Sequence, residues 1–208
     1  MQIDPSRTAY GVVFQTLSCC LAPRPVVLVS TMSRAGLPNL APFSMVTLLS
    51  VAPPLVGISI LPRHGGVKDT LRNIIDTAEF TVNTVPPRLA EEAVRASADF
   101  SPEVDEFAAC GIRARPSERV RPACVSASPV ALECRRVDVL PLPGSEASLV
   151  VGVVLLVHVD DALVRDGAVN VEEFCPLGHL QSGPSGYVFS TVGRILRMAP
   201  PPPPGGER

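Results

Sequence analysis

The sequence predicts a mainly β protein, a Greek-key β-barrel with helical insertions. Three observations carry this. About six or seven segments of the 208-residue chain read as strands, against only three short helices. Strands and helices do not alternate as the βαβ units of a doubly wound sheet would require. A hydrophobic content of 46% with 18% charged residues supports one sizeable core.

In chain order, residues 6–18 predict a short helix, with Tyr10, Val13, Phe14 and Leu17 on one face. Pro23 and Pro25 end it. Val26–Val29 is a continuous β-branched run and predicts a buried strand. Ser33–Pro38 is a turn cluster, and Asn39–Leu49 predicts the returning strand of a hairpin. Pro53–Pro54 leads into a strand over Leu55–Ile60. A helix follows, with Leu71, Ile74, Ile75 and Ala78 on one face and Asp69 or Thr70 as N-cap. Glu79–Val85 alternates like a half-buried strand. Residues 87–97 and 103–110 predict two more helices. Val130–Leu140, Leu149–Val159 and Tyr187–Thr191 read as the remaining strands. Residues 1–198 form one expected domain, and the Pro/Gly-rich tail 199–208 is expected to be disordered.

Composition narrows the function. A formal net charge of −2 provides no basic field for nucleic acid. Leu149–Val157, an apolar run of nine residues, falls well short of the ~20 that a membrane-spanning helix needs. The start of the chain lacks the apolar core of a secretory signal, so a cytoplasmic protein is expected. The six cysteines include no C-x-x-C pair and are expected to be reduced, most of them as small buried hydrophobes. Lys68 is the only lysine among 18 cationic residues.

Several motifs fail. Gly65-Gly66-Val67-Lys68-Asp69 is not a P-loop, and neither G-x-G-x-x-G after a strand nor G-x-S-x-G occurs. His64, His158 and His179 are too dispersed for a metal hydrolase, so no metal is expected, and His158 reads as structural. What remains is Arg63–Thr70, a strand-to-helix loop. Two cations, a glycine pair and free helix-start amides suit an anion there. A flexible loop ending in a capping Asp-Thr would look the same. A second candidate is the hairpin segment holding Thr31, Asn39 and Ser44. There Pro42 interrupts the ladder and would leave neighbouring amides free for a flat heteroaromatic ligand; a hairpin with a proline bulge is the plainer reading.

Arg24-Pro25-Val26, Ser30-Thr31, Gly36, Asn39–Ser44, Pro53-Pro54-Leu55, Lys68-Asp69-Thr70, Asn73-Ile74 and Asp105-Glu106-Phe107 follow one another in this order. Together, over residues 6–195, they resemble the flavin reductase-like, FMN-binding split β-barrel family, which includes flavoredoxin and the reductase components of two-component monooxygenases. The resemblance implies a homodimer that holds FMN non-covalently near the subunit interface. It also implies an enzyme that takes electrons from NAD(P)H and passes them to free flavin, a partner oxygenase or a small acceptor. An FMN carrier or electron-transfer module without its own NAD(P)H turnover is the alternative. A barrel for another phosphate-bearing ligand, such as a deazaflavin, is a third. Carried over by position, Asn39, Leu40 and Ala41 would lie along the isoalloxazine, with backbone amides bonding its polar edge. Thr31, Ser44, Arg63, Lys68 and Thr70 would serve the ribityl chain and phosphate, with Asp69 shaping the loop. Gly178–Tyr187 is a loose version of the family's glycine-rich C-terminal segment, interrupted by Pro184. The resemblance assigns no catalytic acid or base.

Overall fold

The computed structural model describes residues 2–63, 66–170, 172–183 and 186–198. Helix α1 (Tyr10–Cys20) precedes a seven-stranded antiparallel sheet. Its strands are β1 (Val27–Met32), β2 (Pro38–Phe43), β3 (Val46–Val51), β4 (Pro54–Ile60), β5 (Glu79–Thr84), β6 (Val130–Pro141) and β7 (Ser148–Val159). Helix α2 (Asp69–Thr77) lies between β4 and β5, and α3 (Ala90–Arg95) and α4 (Glu106–Cys110) between β5 and β6. A late hairpin of β8 (Gly178–Gly183) and β9 (Gly186–Ser190) pairs with the Arg24–Pro25 segment. Strand β8 falls in the glycine-rich segment, to which the sequence reading assigned no strand.

The spatial order β2-β1-β5-β6-β7-β4-β3 places β2 and β3 at opposite edges. In a flat sheet those edges would stand about 29 Å apart. Only Ser44 and Met45 join them, and three Cα steps reach at most ~11 Å. The sheet must therefore curl until its edges meet, which makes a barrel that is hydrogen-bonded all round except at the β2–β3 seam. The expected single strand over Asn39–Leu49 is corrected accordingly. It is two strands on two edges, because the chain turns at Phe43–Val46 and its second half pairs with β4 instead of β1.

Alternation along the strands sorts the apolar residues into two cores. Val27, Val29, Ile58, Phe80 and Val150 pack in the barrel cluster, joined by Leu71 and Ile74 of α2. Val26, Leu28, Leu40 and Val85 face the other way, under α3 and α4 with Leu89 and Phe107. β1 is thus buried on both faces, which explains its unbroken apolar run. Within the barrel the Phe80 ring occupies the space above Gly152, where an added Cβ would lie 2.3 Å from Phe80 Cζ. Gly152→Ala is expected to destabilise the fold by about 1–3 kcal/mol through overpacking, read as a lower urea midpoint. An unchanged midpoint would mean that the ring is free to shift.

Two helices depart from the periodicity reading. In α2 the buried residues are Thr70, Leu71, Asn73 and Ile74, while Ile75 is exposed. Its N-cap is Lys68 instead of Asp69 or Thr70, and no side chain caps it. In α1, Tyr10 and Leu17 of the expected apolar face are 72% and 53% exposed. The cysteine expectation holds in part: Cys110, Cys124 and Cys134 are buried, but Cys19 and Cys20 are exposed.

His158 proves to be a structural partner. Its Nε2 lies 2.6 Å from Oε1 of the fully buried Glu133, whose oxygens also accept the Glu118 and Arg119 amides at 2.9 and 2.6 Å. Burial favours the neutral acid, but these hydrogen bonds outweigh it and lower the Glu133 pKa. The pair fastens the 117–121 loop to the barrel, with the Cys124 thiol beside it. His64, Gly65 and the 199–208 tail lie outside the described residues. Among the described residues, no helix is long and apolar enough to cross a membrane.

Candidate functional site: a cationic niche beside an aromatic pocket

Two hollows meet at Lys68. The smaller, about 90 Å³, is a polar niche walled by Ala41, Arg63, Asp69 and Thr70 and by the 96–100 loop. The larger, about 320 Å³, is walled by Phe14, Phe43, Tyr187 and Phe189, with Ser44 and His179 at one side. Lys68, Pro42 and Ser97 line both.

The niche sits where β4 hands the chain to α2. Arg63 and Gly66, just before the helix start, exchange backbone hydrogen bonds at 3.0 and 3.1 Å. Gly66 has φ +133°, a conformation open to glycine and strained for other residues. With no side-chain cap, the first amides of α2 keep their partial positive charge facing outward. Among the described residues no carboxylate lies within 4.0 Å of Lys68 Nζ. Burial, aided by Arg63, pushes the Lys68 pKa down, against the pull of Asp99 and Asp69. Its ammonium also stands 6.0 Å from the centre of the Phe43 ring.

Behind the niche lies a buried polar network. The Thr31 hydroxyl donates to Asn39 Oδ1 (2.9 Å) and accepts from Asn73 Nδ2 (3.1 Å), and Thr70 Oγ1 donates to the same Asn39 oxygen at 3.1 Å. Asn39 Nδ2 and the Leu40 amide in turn donate to the two oxygens of Glu106 at 2.8 and 3.0 Å. Burial raises the Glu106 pKa against these bonds. Sequence reasoning placed Thr31 and Leu40 against a ligand, but both are fully buried, and they shape the wall from behind.

The hairpin edge is also corrected. N–H groups alternate sides along a strand, so positions 38, 40 and 42 share the outer side of β2. Pro38 and Pro42 have no N–H, and that of Leu40 is taken by Glu106. Pro42 therefore seals this edge instead of freeing amides. Arg63 differs from expectation as well: its Nη1 holds Asp69 and Asp99 at 3.1 Å each and the Phe100 carbonyl at 3.2 Å. Asp69 is itself shared with Arg72 at 2.9 Å.

Ser44 belongs to the second hollow. Its Oγ lies 3.0 Å from His179 Nδ1, which also meets Arg24 Nη2 at 3.0 Å. A guanidinium can only donate, so Nδ1 accepts and the His179 proton sits on Nε2, donating to Ser182 Oγ at 2.8 Å. Arg24 also donates to the Ser18 carbonyl, tying the end of α1 to β8. Burial, then Arg24, lowers the His179 pKa. With the folded value depressed, the neutral ring stabilises the fold fully above the unfolded value of about 6.5, and this is lost as pH falls through the folded value. Amide protection in β8 and β9 is expected to drop between pH 7 and pH 5 in the native protein and to stay level in His179→Gln. Equal protection at both pH values would contradict this role. The Tyr187 hydroxyl, 3.0 Å from Ser97 Oγ, braces the opposite wall.

The structure therefore gathers Asn39, Ala41, Arg63, Lys68, Asp69 and Thr70 at one niche and Ser44 at the adjoining pocket. Sequence reasoning left Glu106, Arg24 and His179 off the site. Glu106 and Arg24 stood within the recognised motif segments, and His179 within the loose C-terminal one.

A closed antiparallel barrel with helices on its outer face and a cationic niche at one helix start defines the split β-barrel class. The flavin reductase like domain profile matches residues 19–183, and the chain belongs to the flavin reductase-like family. An uncharacterized protein of Aquifex aeolicus is 33% identical over 182 residues, covering 86% of this chain and 92% of that one. The nitrilotriacetate monooxygenase component B of Bacillus cereus superposes with a TM-score of 0.88 at 25% identity, covering 95% and 98% of the two chains. The 2-nitrobenzoate 2-nitroreductase of Pseudomonas fluorescens gives 0.86 at 28% identity, covering 99% and 100%.

Proposed function

We propose that this protein is an FMN-dependent oxidoreductase of the NAD(P)H:flavin reductase type, passing electrons to free flavin, a partner oxygenase or a small acceptor. One observation carries the reading: Lys68, with no carboxylate within 4.0 Å among the described residues, joins an uncapped helix start to an aromatic-walled pocket. Phosphate chemistry suits the first and a planar ring the second. Lys68 and the α2 amides hold the phosphate, with Thr70, Asp69 and Arg63 shaping the niche. Phe43, Tyr187 and Phe189 exclude water from the ring, and Ser44, His179 and Ser182 offer it polar atoms. The Asn39, Thr31 and Glu106 network keeps β2, α2 and α4 in register behind the niche, and Ala41 lines it from β2. When bound, FMN supplies the hydride and electron transfer, so the chain needs no acid–base dyad of its own.

Monooxygenase component B and the nitroreductase, both 25% or more identical, support a reductase role. A second copy of the chain is part of the reading. Leu48 and Val51 on edge strand β3 are 62% and 77% exposed, and α1 leaves Tyr10 and Leu17 uncovered, a face suited to a homodimer interface. Six unpaired cysteines support a reducing, cytoplasmic setting.

The test is an absorption spectrum of the protein mixed with FMN, followed by anaerobic NADH or NADPH. A bound-flavin spectrum that bleaches is expected. Binding without bleaching by either nucleotide would leave a flavin carrier, and no binding would end the flavin reading.

A further inference from the structure

Arg63 is oversubscribed. Its Nη1 carries two hydrogens but faces three acceptors, the carboxylates of Asp69 and Asp99 and the Phe100 carbonyl. The three are not equally held. Asp69 is nearly buried and anchored a second time by Arg72, and the Phe100 carbonyl belongs to the backbone. Asp99 is 64% exposed on the loop between α3 and α4 and has no second cation within 4.0 Å among the described residues. It is the acceptor most easily replaced.

Charge points the same way. The niche walls bring two cations, Arg63 and Lys68, against two carboxylates, Asp69 and Asp99, with Glu106 behind them. In this form the niche has little net attraction for a dianion, although its helix start and its lysine suit one.

We propose that Asp99 sets the protein's preference between phosphorylated and unphosphorylated flavin, by holding Arg63 in competition with the ligand's phosphate. This rests on the flavin reading above and adds to it a residue that opposes binding. A phosphate entering the niche takes the Arg63 hydrogen that Asp99 holds, and the freed carboxylate turns to solvent. The same carboxylate regains Arg63 as the ligand leaves, so the niche favours exchange over permanent retention of FMN. An exposed ion pair is a weak competitor, so phosphate displaces it readily and Asp99 lowers the affinity only modestly.

The experiment measures FMN and riboflavin affinity and the FMN dissociation rate for the native protein, Asp99→Asn and Asp99→Glu, with inorganic phosphate as competitor. Asp99→Asn is expected to bind FMN about three- to tenfold tighter and release it more slowly, with riboflavin unchanged. Phosphate should compete better in the same variant. Asp99→Glu keeps the charge and should behave as the native protein does. FMN binding that is unchanged or weaker in Asp99→Asn, or an equal shift for both flavins, overturns the proposal while leaving the flavin reading intact. A native protein that binds neither flavin ends both.

Discussion

Lys68→Ala is expected to weaken FMN by about 10- to 150-fold while leaving riboflavin binding almost unchanged. A hydrogen bond to a charged group is worth about 1.5–3 kcal/mol, and each 1.4 kcal/mol is tenfold in affinity. Burial already makes the Lys68 charge costly, and a dianion beside it would restore the proton's hold. No neighbour can make up the loss, because the Arg63 hydrogen that Asp99 can release already serves the native complex, its other is held by Asp69, and Arg72 is held by Asp69. Lys68→Arg should recover part of the loss, since it restores the charge with different geometry. Equal losses for FMN and riboflavin would move the phosphate elsewhere. The measurement is a fluorescence titration of each flavin against the two variants.

The largest effect on stability is expected from replacing Glu106, by Gln and still more by Ala. Two donors, Asn39 Nδ2 and the Leu40 amide, converge on the carboxylate. Turning the Asn39 amide round would take away the oxygen to which both Thr31 and Thr70 donate, so a flip does not relieve the mismatch without cost. Glutamine offers one acceptor oxygen and one NH2, so one buried donor would face another donor. An unsatisfied buried group costs about 1–3 kcal/mol, and Glu106→Ala, which leaves both donors unmet, should cost more. Urea unfolding reads the loss directly. FMN affinity should fall in parallel, since Asn39 and Thr70 line the niche from the same network. A Gln variant as stable as the native protein would mean that the carboxylate is dispensable and that the network does not hold the wall.

Glu106 also shows how far the sequence could be read. Asp105-Glu106-Phe107 was legible as part of the family resemblance and as the start of a short helix, which the structure places at Glu106–Cys110. Its partner Asn39 lies 67 positions away, and no periodicity rule links the two. Lys68 was easier, since a lone lysine before a helix start states its chemistry locally. His179 was harder. Its partner Arg24 stands 155 positions earlier, and the segment that carries it was not read as a strand. Helix α2 shows a third kind of miss: Ile75 was placed inside on period alone, yet the network claims the Asn73 side of the helix and leaves Ile75 in solvent.

Local chemistry determined most of the element types and the anion-suited helix start at Lys68, because alternation, turn residues and charge are written in neighbouring positions; the flavin-linked family was legible only as a resemblance carried by motif segments in a fixed order. Only the tertiary structure decided that Asn39–Leu49 divides between two sheet edges, that Pro42 seals an edge, and that Arg63 is held by Asp99. Those outcomes depend on barrel closure, which gathers donors and acceptors from distant segments. A buried hydrogen bond then forms with whichever partner the closed sheet delivers, and sequence spacing has no part in that choice.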